Sequence, residues 1–147
     1  MADNKQYKVA VYLRLAREDD EVIEMQKDKV LRYAIEQDYG KYSEIPVFAD
    51  NGASGNDFNR LAFAKMNTAI ANGEIDTVIV QSIDRIGRNL IDVGYWLEEM
   101  KQKGVNVNAI DGSCDFTTNP VMDYMRDFIA KKRKFSRNLP NANKGGA

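Results

Sequence analysis

Three arginines stand in two short segments about seventy residues apart, and each segment begins where a predicted buried strand ends. The first segment is Tyr-Leu-Arg-Leu-Ala at residues 12–16 and the second is Asp-Arg-Ile-Gly-Arg at residues 84–88, so the arginines are Arg14, Arg85 and Arg88. A guanidinium is planar, permanently charged and able to bind phosphate or carboxylate through two parallel hydrogen bonds. Several of them at strand ends indicate a polyanion that undergoes chemistry. The sequence therefore predicts a phosphodiester as the substrate.

The composition excludes several kinds of catalyst. The chain has 147 residues, 44% of them hydrophobic, and contains no histidine and one cysteine, Cys114. The lack of histidine removes Ser-His-Asp and Cys-His catalysis and the commonest metal ligand. One cysteine forms neither an internal disulfide nor a cysteine-based zinc cluster, which is typical of a reducing compartment. No apolar run is long enough for a signal peptide or a membrane span, so we expect a soluble, cytoplasmic protein.

Strands alternate with helices along residues 1–117, which we predict to form the domain core. Short apolar runs predict four strands, at residues 9–13, 45–48, 77–80 and 105–110. Pro46 places the second of them at an edge of the sheet, and a polar loop is expected to follow over residues 50–60. Helical spacing of apolar residues predicts helices between the strands. This order indicates an α/β fold with a mostly parallel central sheet of about four to five strands, helices on both faces and an additional C-terminal helix.

The C-terminal end differs in pattern and in charge. Residues 118–137 carry apolar side chains at spacings of three and four on an otherwise charged helix, a stripe that either covers the sheet or forms a self-association surface. Residues 1–125 hold 14 Lys and Arg against 21 Asp and Glu, whereas residues 126–147 hold 7 against 1. These cations either contact an anionic partner or complement the dipole of a helix end, and they include Lys131, Lys132, Arg133, Lys134 and Arg137. We expect residues 138–147 to be disordered.

Four separated motifs share their order and spacing with a known family. They are residues 12–16, Gln26, the run Phe-Ala-Asp-Asn-Gly-Ala-Ser-Gly at residues 48–55 leading to Arg60, and residues 84–88. Over roughly residues 8–115 the chain resembles the catalytic domain of serine site-specific recombinases, the resolvase and invertase family, and most of all the large members found on mobile elements. In that family a serine at the end of the first strand attacks a DNA phosphodiester, leaving a phosphoserine link to one strand end and a free 3′ hydroxyl on the other.

The resemblance implies that the nucleophile is missing here. Ala16 occupies the position of the family's serine, and because alanine has no hydroxyl, the covalent step cannot occur on this polypeptide. Losing such a nucleophile costs about 10⁶ in rate, or roughly 8 kcal/mol of barrier. We therefore expect this chain to be catalytically dead.

The other matching positions receive roles from the same resemblance. Arg14 would grip the scissile phosphate, and Arg60 would close a mobile loop over the site. Arg85 and Arg88 would stabilise the charge that develops on the phosphoryl oxygens, and one of them would help to protonate the leaving oxygen. Asp84 would orient these guanidinium groups, although taken singly it is equally an ion-pair partner. Two supporting polar neighbours complete the predicted site: Tyr12 and Gln26.

The resemblance also implies partners. The family acts on DNA and forms dimers that join into tetramers through the long C-terminal helix, without a metal or another cofactor. Its members continue into a separate DNA-binding region, and the sequence after residue 137 does not resemble one. Contacts between basic residues and phosphates position a protein without reading sequence and weaken with salt. We therefore expect weak, non-specific DNA binding.

Alternative interpretations of Ala16 remain open at this point. Either the native gene encodes serine and this is a silenced catalytic domain of a working recombinase, or the alanine is natural and the chain is a non-catalytic relative that binds DNA or dimerises. The intact set of arginines favours the first. A third interpretation, a nucleotide-binding α/β domain, is disfavoured because Leu15-Ala16-Arg17 stands where a glycine-rich turn would be needed.

Overall fold

The structure is a computed structural model that describes residues 8–53, 60–115 and 126. In this part of the chain the strands form one parallel sheet in the order β2-β1-β3-β4. The α/β class and the parallel sheet are confirmed. The elements in chain order are β1 (Val9–Leu15), α1 (Asp20–Glu36), β2 (Val47–Asn51), α2 (Leu61–Ala71), β3 (Thr77–Val80), a 3₁₀ turn (Ile83–Arg85), α3 (Leu90–Gln102) and β4 (Asn106–Ala109).

β1 is buried on both faces, and its alternate side chains enter two separate cores. Val9, Val11 and Leu13 pack with α1 on one face of the sheet, whereas Ala10 and Tyr12 pack with α2 and α3 on the other. This division follows from the period of two along a strand, which sends successive side chains to opposite faces. Helices therefore cover both faces, as the sequence predicted.

β2 begins and ends later than the apolar pattern predicted. The register pairs Leu15 with Asn51, so that polar residues expected in a loop belong to the strand. Pro46 lies just before the strand, and its carbonyl accepts a hydrogen bond from the Val11 N–H at 2.9 Å. The edge position of β2 is confirmed. Pairing with β1 therefore fixes Asp50 and Asn51 beside the end of that strand.

The helices differ in how their first turns are capped. Asp19 caps α1 by accepting a hydrogen bond from the Val22 N–H at 3.0 Å, and Asn89 caps α3 through Ile91 and Asp92. Arg60 precedes α2 and provides no such acceptor from its side chain. The first N–H groups of α2 must therefore find their partner on another element.

Several predicted features of the C-terminal end lie outside the described residues. These are the domain boundary at residue 117, the helix over residues 118–137, the tail over residues 138–147 and the cations from Lys131 to Arg137. Arg126 is described; it is exposed, and its Nη2 lies 3.8 Å from Glu98 Oε1. Among the helices of the described segments, none is long and apolar enough to cross a bilayer.

Candidate active site

Two arginines join the carboxyl end of β1 to the 3₁₀ turn that follows β3. The Nε of Arg14 donates to the Arg85 carbonyl at 3.1 Å, and Nη1 of Arg85 donates back to the Arg14 carbonyl at 3.0 Å. Nη2 of Arg14 also donates to the Asp84 carbonyl at 2.8 Å. Because the strands are parallel, their carboxyl ends meet at one edge of the sheet, and the two predicted arginine segments meet there as well.

Arg14 is almost fully enclosed, with 1% of its surface exposed. A third hydrogen bond runs from its Nη1 to the Ala53 carbonyl at 3.0 Å, so all three guanidinium nitrogens donate to main-chain oxygens. Burial lowers the pKa of Arg14, and the nearby charge of Arg60 lowers it further. In this conformation Arg14 holds the loops around the site together and is directed at the protein itself.

Arg60 reaches the same turn from the start of α2. Its Nη1 donates to the Arg85 carbonyl at 3.3 Å, and its Nη2 donates to the Ile86 carbonyl. The guanidinium carbon lies 4.6 Å from the centroid of the Phe63 ring and 5.6 Å from that of Tyr12. Stacking on aromatic faces suits the planar guanidinium and keeps it ordered. Of the loop predicted over residues 50–60, which Arg60 was expected to close over the site, residues 54–59 lie outside the described residues.

Tyr12 and Asp50 form a buried hydrogen-bonded pair beneath these arginines. The Tyr12 hydroxyl donates to Asp50 Oδ2 at 2.7 Å. Burial raises the pKa of Tyr12 far above its usual value, and the hydrogen bond to Asp50 raises it further, so the hydroxyl stays protonated. The same carboxylate accepts from the N–H groups of Ala62 and Phe63 at 2.9 and 3.0 Å. Asp50 thus caps α2 from the neighbouring strand.

Asp50 is a site residue that the sequence analysis missed. It stood within a recognised motif, but no pattern along the chain connected it to Tyr12 or to α2. The sequence offered one indirect signal. The first N–H groups of a helix need a hydrogen-bond acceptor, and the residue before α2 is an arginine, which cannot supply one, so an acceptor from elsewhere in the chain was to be expected. Gln26, in contrast, was predicted beside Arg14, and its Oε1 accepts from the Arg14 N–H at 3.3 Å.

The remaining predicted residues lie at the open side of the site. Ala16 is exposed directly after β1, and Arg88 is exposed after the 3₁₀ turn. Asp84 is exposed too; its carboxylate accepts from the Ser82 hydroxyl, and its contact with Arg14 runs through its main-chain carbonyl. The structure therefore brings Arg14, Arg60 and Arg85 into one network and leaves Ala16 and Arg88 facing solvent.

This arrangement concentrates positive charge around an exposed position. In addition to the larger effect of burial, the charges of Arg60, Arg85 and Arg88 all lower the pKa of Arg14. The Nε of Arg85 is buried and has no hydrogen-bond partner within the described segments. No group of histidine, cysteine, aspartate or glutamate side chains in those segments could hold a metal ion. The site is suited to binding an anion next to Ala16.

The comparisons with known proteins identify the family. The model of the family described as resolvase, N-terminal domain, matches residues 9–144, and the chain belongs to this family. It is 32% identical over 95 residues to the transposon Tn501 resolvase of Pseudomonas aeruginosa, covering 63% of this chain and 50% of that protein. It is 31% identical over 72 residues to the DNA-invertase of Enterobacteria phage P7, covering 49% and 37%. The chain spans about half the length of the curated relatives it matches first.

Solved structures share the fold. The N-terminal catalytic domain of TP901-1 integrase matches with a TM-score of 0.70 at 23% identity, over 89% of this chain and 97% of that one. A resolvase family site-specific recombinase from Streptococcus pneumoniae matches with a TM-score of 0.67 at 26% identity, over 90% and 91%. The resemblance drawn from the four motifs is therefore confirmed at the level of family and fold.

Proposed function

We propose that the chain is the catalytic domain of a site-specific DNA recombinase in which Ala16 replaces the nucleophilic serine, so that the chain binds DNA phosphate without cleaving it. The observation that carries this proposal is the position of Ala16. It is exposed directly after β1, two residues along the chain from Arg14, which joins Arg60 and Arg85 in one network. A reactive hydroxyl at this position would face solvent at the edge of the sheet where Arg14, Arg60 and Arg85 meet.

The proposed reaction needs a hydroxyl at position 16 and no metal. The serine hydroxyl would lose its proton as its oxygen forms a bond to phosphorus, and the bond between phosphorus and the 3′ oxygen would break. The leaving oxygen would take up a proton, so that one proton is released and one is taken up. The product is a 5′-phosphoserine link and a free 3′ hydroxyl. Arg88 and the half-buried Arg85 would contact the phosphoryl oxygens, and Arg14 and Arg60 would hold the 3₁₀ turn that carries Arg85.

The proposed partners are DNA and further copies of the chain. We propose that the protein works in the cytoplasm on DNA and forms homodimers that join into tetramers, as the family resemblance implies. Sedimentation analysis over a range of concentrations tests the assembly, and a monomer at every concentration would contradict it.

A second candidate function follows from the alanine itself. If Ala16 is natural, the chain is a non-catalytic relative that binds DNA or dimerises with active recombinases. The sequence of the native gene across codon 16 separates the two candidates. A serine codon supports the silenced recombinase, and an alanine codon supports the non-catalytic relative.

The direct test of the proposed chemistry restores the hydroxyl. We expect Ala16→Ser to form a covalent adduct with supercoiled plasmids that carry fragments of the source genome, detected on denaturing gels and absent with the unaltered chain. Arg17→Ser is the matched control, since it places a hydroxyl on the adjacent exposed residue. The proposal is supported if Ala16→Ser, but not Arg17→Ser, yields DNA whose 5′ end is blocked by protein. Failure of Ala16→Ser to form an adduct counts against the proposal.

A further inference from the structure

Residues 16–18 form a short connection between β1 and α1. Both ends of this connection are hydrogen-bonded to residues 51–53, which are the last residue of β2 and the two residues that follow it. At one end, the Leu15 carbonyl accepts hydrogen bonds from the N–H groups of Gly52 and Ala53, both at 2.8 Å. At the other end, the Asp19 N–H donates to Asn51 Oδ1 at 2.9 Å. Three residues, 16–18, separate the fixed points, and the side chains of all three are exposed. The segment 51–53 therefore fixes the path of the connection.

Asn51 makes two hydrogen bonds of opposite sense at the start of α1. Its Oδ1 accepts from the Asp19 N–H, and its Nδ2 donates to Asp20 Oδ1 at 2.9 Å. The Asp19 side chain is already engaged in capping α1 through Val22, so Asn51 provides the link between the helix start and the sheet. An amide alone among small side chains offers an acceptor and a donor on one rigid plane.

The adjacent glycine brings the two backbones into contact. Gly52 has a φ of +95°, and a Cβ built there would lie 3.3 Å from the Cβ of Glu18 and 3.4 Å from its main-chain nitrogen. Glycine permits both the positive φ and the close approach. The connection is thus bound at Leu15, packed at Glu18 and bound again at Asp19, in each case by residues 51–53.

We infer that Asn51 is a positioning residue for position 16: its bridge between the Asp19 N–H and the Asp20 carboxylate fixes the direction in which a side chain at position 16 leaves the sheet. As far as this concerns cleavage, the inference rests on the proposed function. A nucleophile must be held within a fraction of an ångström of its productive position, because small displacements cost large factors in rate. Between Leu15 and Asp19, the contacts described above add only the packing of Glu18 against Gly52, so the hydrogen bond at the Asp19 end comes from Asn51.

An exchange of the two side chains tests the bridge. Asn51→Asp removes the donor and places a carboxylate against Asp20. Adding Asp20→Asn restores the hydrogen bond in the opposite direction, because the new amide at position 20 can donate to the new carboxylate at position 51. The net charge of the pair is then the same as in the unaltered chain. In an Ala16→Ser background at saturating DNA, we expect Asn51→Asp to slow adduct formation at least tenfold and the double exchange to return it to within threefold. Asn72→Asp, the same chemical change at the exposed far end of α2, should leave the rate within twofold.

Two results would overturn the inference on rate. The first is a rate of adduct formation in Asn51→Asp that stays within twofold of the rate of Ala16→Ser alone. The second is a slower rate that does not recover when Asp20→Asn is added, because such a defect would not depend on the bridge.

A second measurement separates this inference from the proposed function. In the unaltered Ala16 chain, we expect hydrogen exchange of the Asp19 amide to accelerate at least tenfold in Asn51→Leu, which removes the Oδ1 acceptor and keeps the size of the side chain, while the amide of Ile79 in β3 is unchanged. If Ala16→Ser forms no adduct, the proposed function fails, and this exchange result alone decides whether Asn51 holds the connection. Unchanged exchange at Asp19 would contradict the inference.

Discussion

Arg14 and Arg88 carry the same charge in the same predicted site, but one is enclosed and the other exposed. Every guanidinium nitrogen of Arg14 donates to a main-chain carbonyl, of Ala53, Asp84 or Arg85. Removing these donors takes the hydrogen bonds away from the Ala53 and Asp84 carbonyls, while the Arg85 carbonyl keeps its bond from Arg60. Losing partners within an enclosed network costs far more than removing an exposed charge. At the scale of single residues, therefore, Arg14 contributes to the stability of the fold, whereas the exposed Arg88 is available for binding.

This contrast predicts different outcomes for the same substitution. We expect Arg14→Met to lower the free energy of unfolding by about 3–5 kcal/mol, measured by urea denaturation. Arg88→Met, the matched control, should change it by less than about 0.5 kcal/mol while weakening DNA binding. Equal losses of stability in the two variants would mean that the carbonyl network does not hold the site together.

Tyr12 predicts a stability change at alkaline pH. Its folded-state pKa is raised above the ordinary value of 10.0, so the folded form keeps its proton where the unfolded form loses it. The stabilisation is complete below pH 10 and is lost as the pH rises above that value, by up to about 1.4 kcal/mol per pH unit. We expect urea denaturation between pH 9 and 11.5 to show a smaller decline for Tyr12→Phe than for the unaltered chain. Parallel declines would contradict this account of Tyr12.

At the scale of elements, one carboxylate joins β1, β2 and α2. Asp50 lies at the end of β2 and accepts from the Tyr12 hydroxyl and from two N–H groups in the first turn of α2. Arg60, the residue before that helix, is thereby held where its guanidinium meets the 3₁₀ turn. The position of an arginine in the site thus depends on a helix cap supplied by another element.

Asp50→Asn tests this cap. The amide keeps the shape but directs a donor at groups that are themselves donors, so we expect a loss of about 2–3 kcal/mol in the free energy of unfolding. Asp92→Asn is the matched control, because Asp92 is exposed in the first turn of α3, where Asn89 supplies the cap. Urea denaturation of both variants provides the comparison. A loss no greater than that of Asp92→Asn would show that α2 does not need the carboxylate.

At the scale of the whole molecule, the charge is divided along the chain. Residues 1–125 have an excess of acidic side chains, and the cations of residues 126–147 give the other end a positive charge. DNA, the proposed partner, would therefore approach a largely acidic body through two basic regions, the arginine site and the C-terminal end. Attraction of this kind is governed by counterion release and depends strongly on salt.

The salt dependence of DNA binding tests this division. With four to five phosphates contacted, log affinity should fall against log salt with a slope of about −4, measured by fluorescence anisotropy on duplexes of unrelated sequence. Replacing Lys131, Lys132, Arg133, Lys134 and Arg137 by glutamine should flatten the slope, whereas replacing the exposed Lys65 and Lys101 should not. Tight, salt-insensitive binding to one sequence would contradict the prediction.

The sequence by itself determined the elements and the family. The two arginine segments, Gln26 and the motif before Arg60 were enough to identify the resolvase family, and short apolar runs alternating with helical patterns indicated the α/β order. These signals are local, because the spacing of apolar residues and the residue types of a motif can be read from neighbours in the chain. The edge position of β2 was predicted for the same reason, from Pro46 alone.

Only the tertiary structure decided how the site is held together. The role of Asp50 depends on a contact with Tyr12 across 38 positions in sequence, and the enclosure of Arg14 depends on carbonyls 39 to 71 positions away. Asn51 reaches Asp19 because the register pairs it with Leu15. Such contacts follow from strand order and register, and a shift of one residue would turn each of these side chains to the other face of the sheet. The residue types were visible in the sequence, and their partners were set by the packing of distant segments.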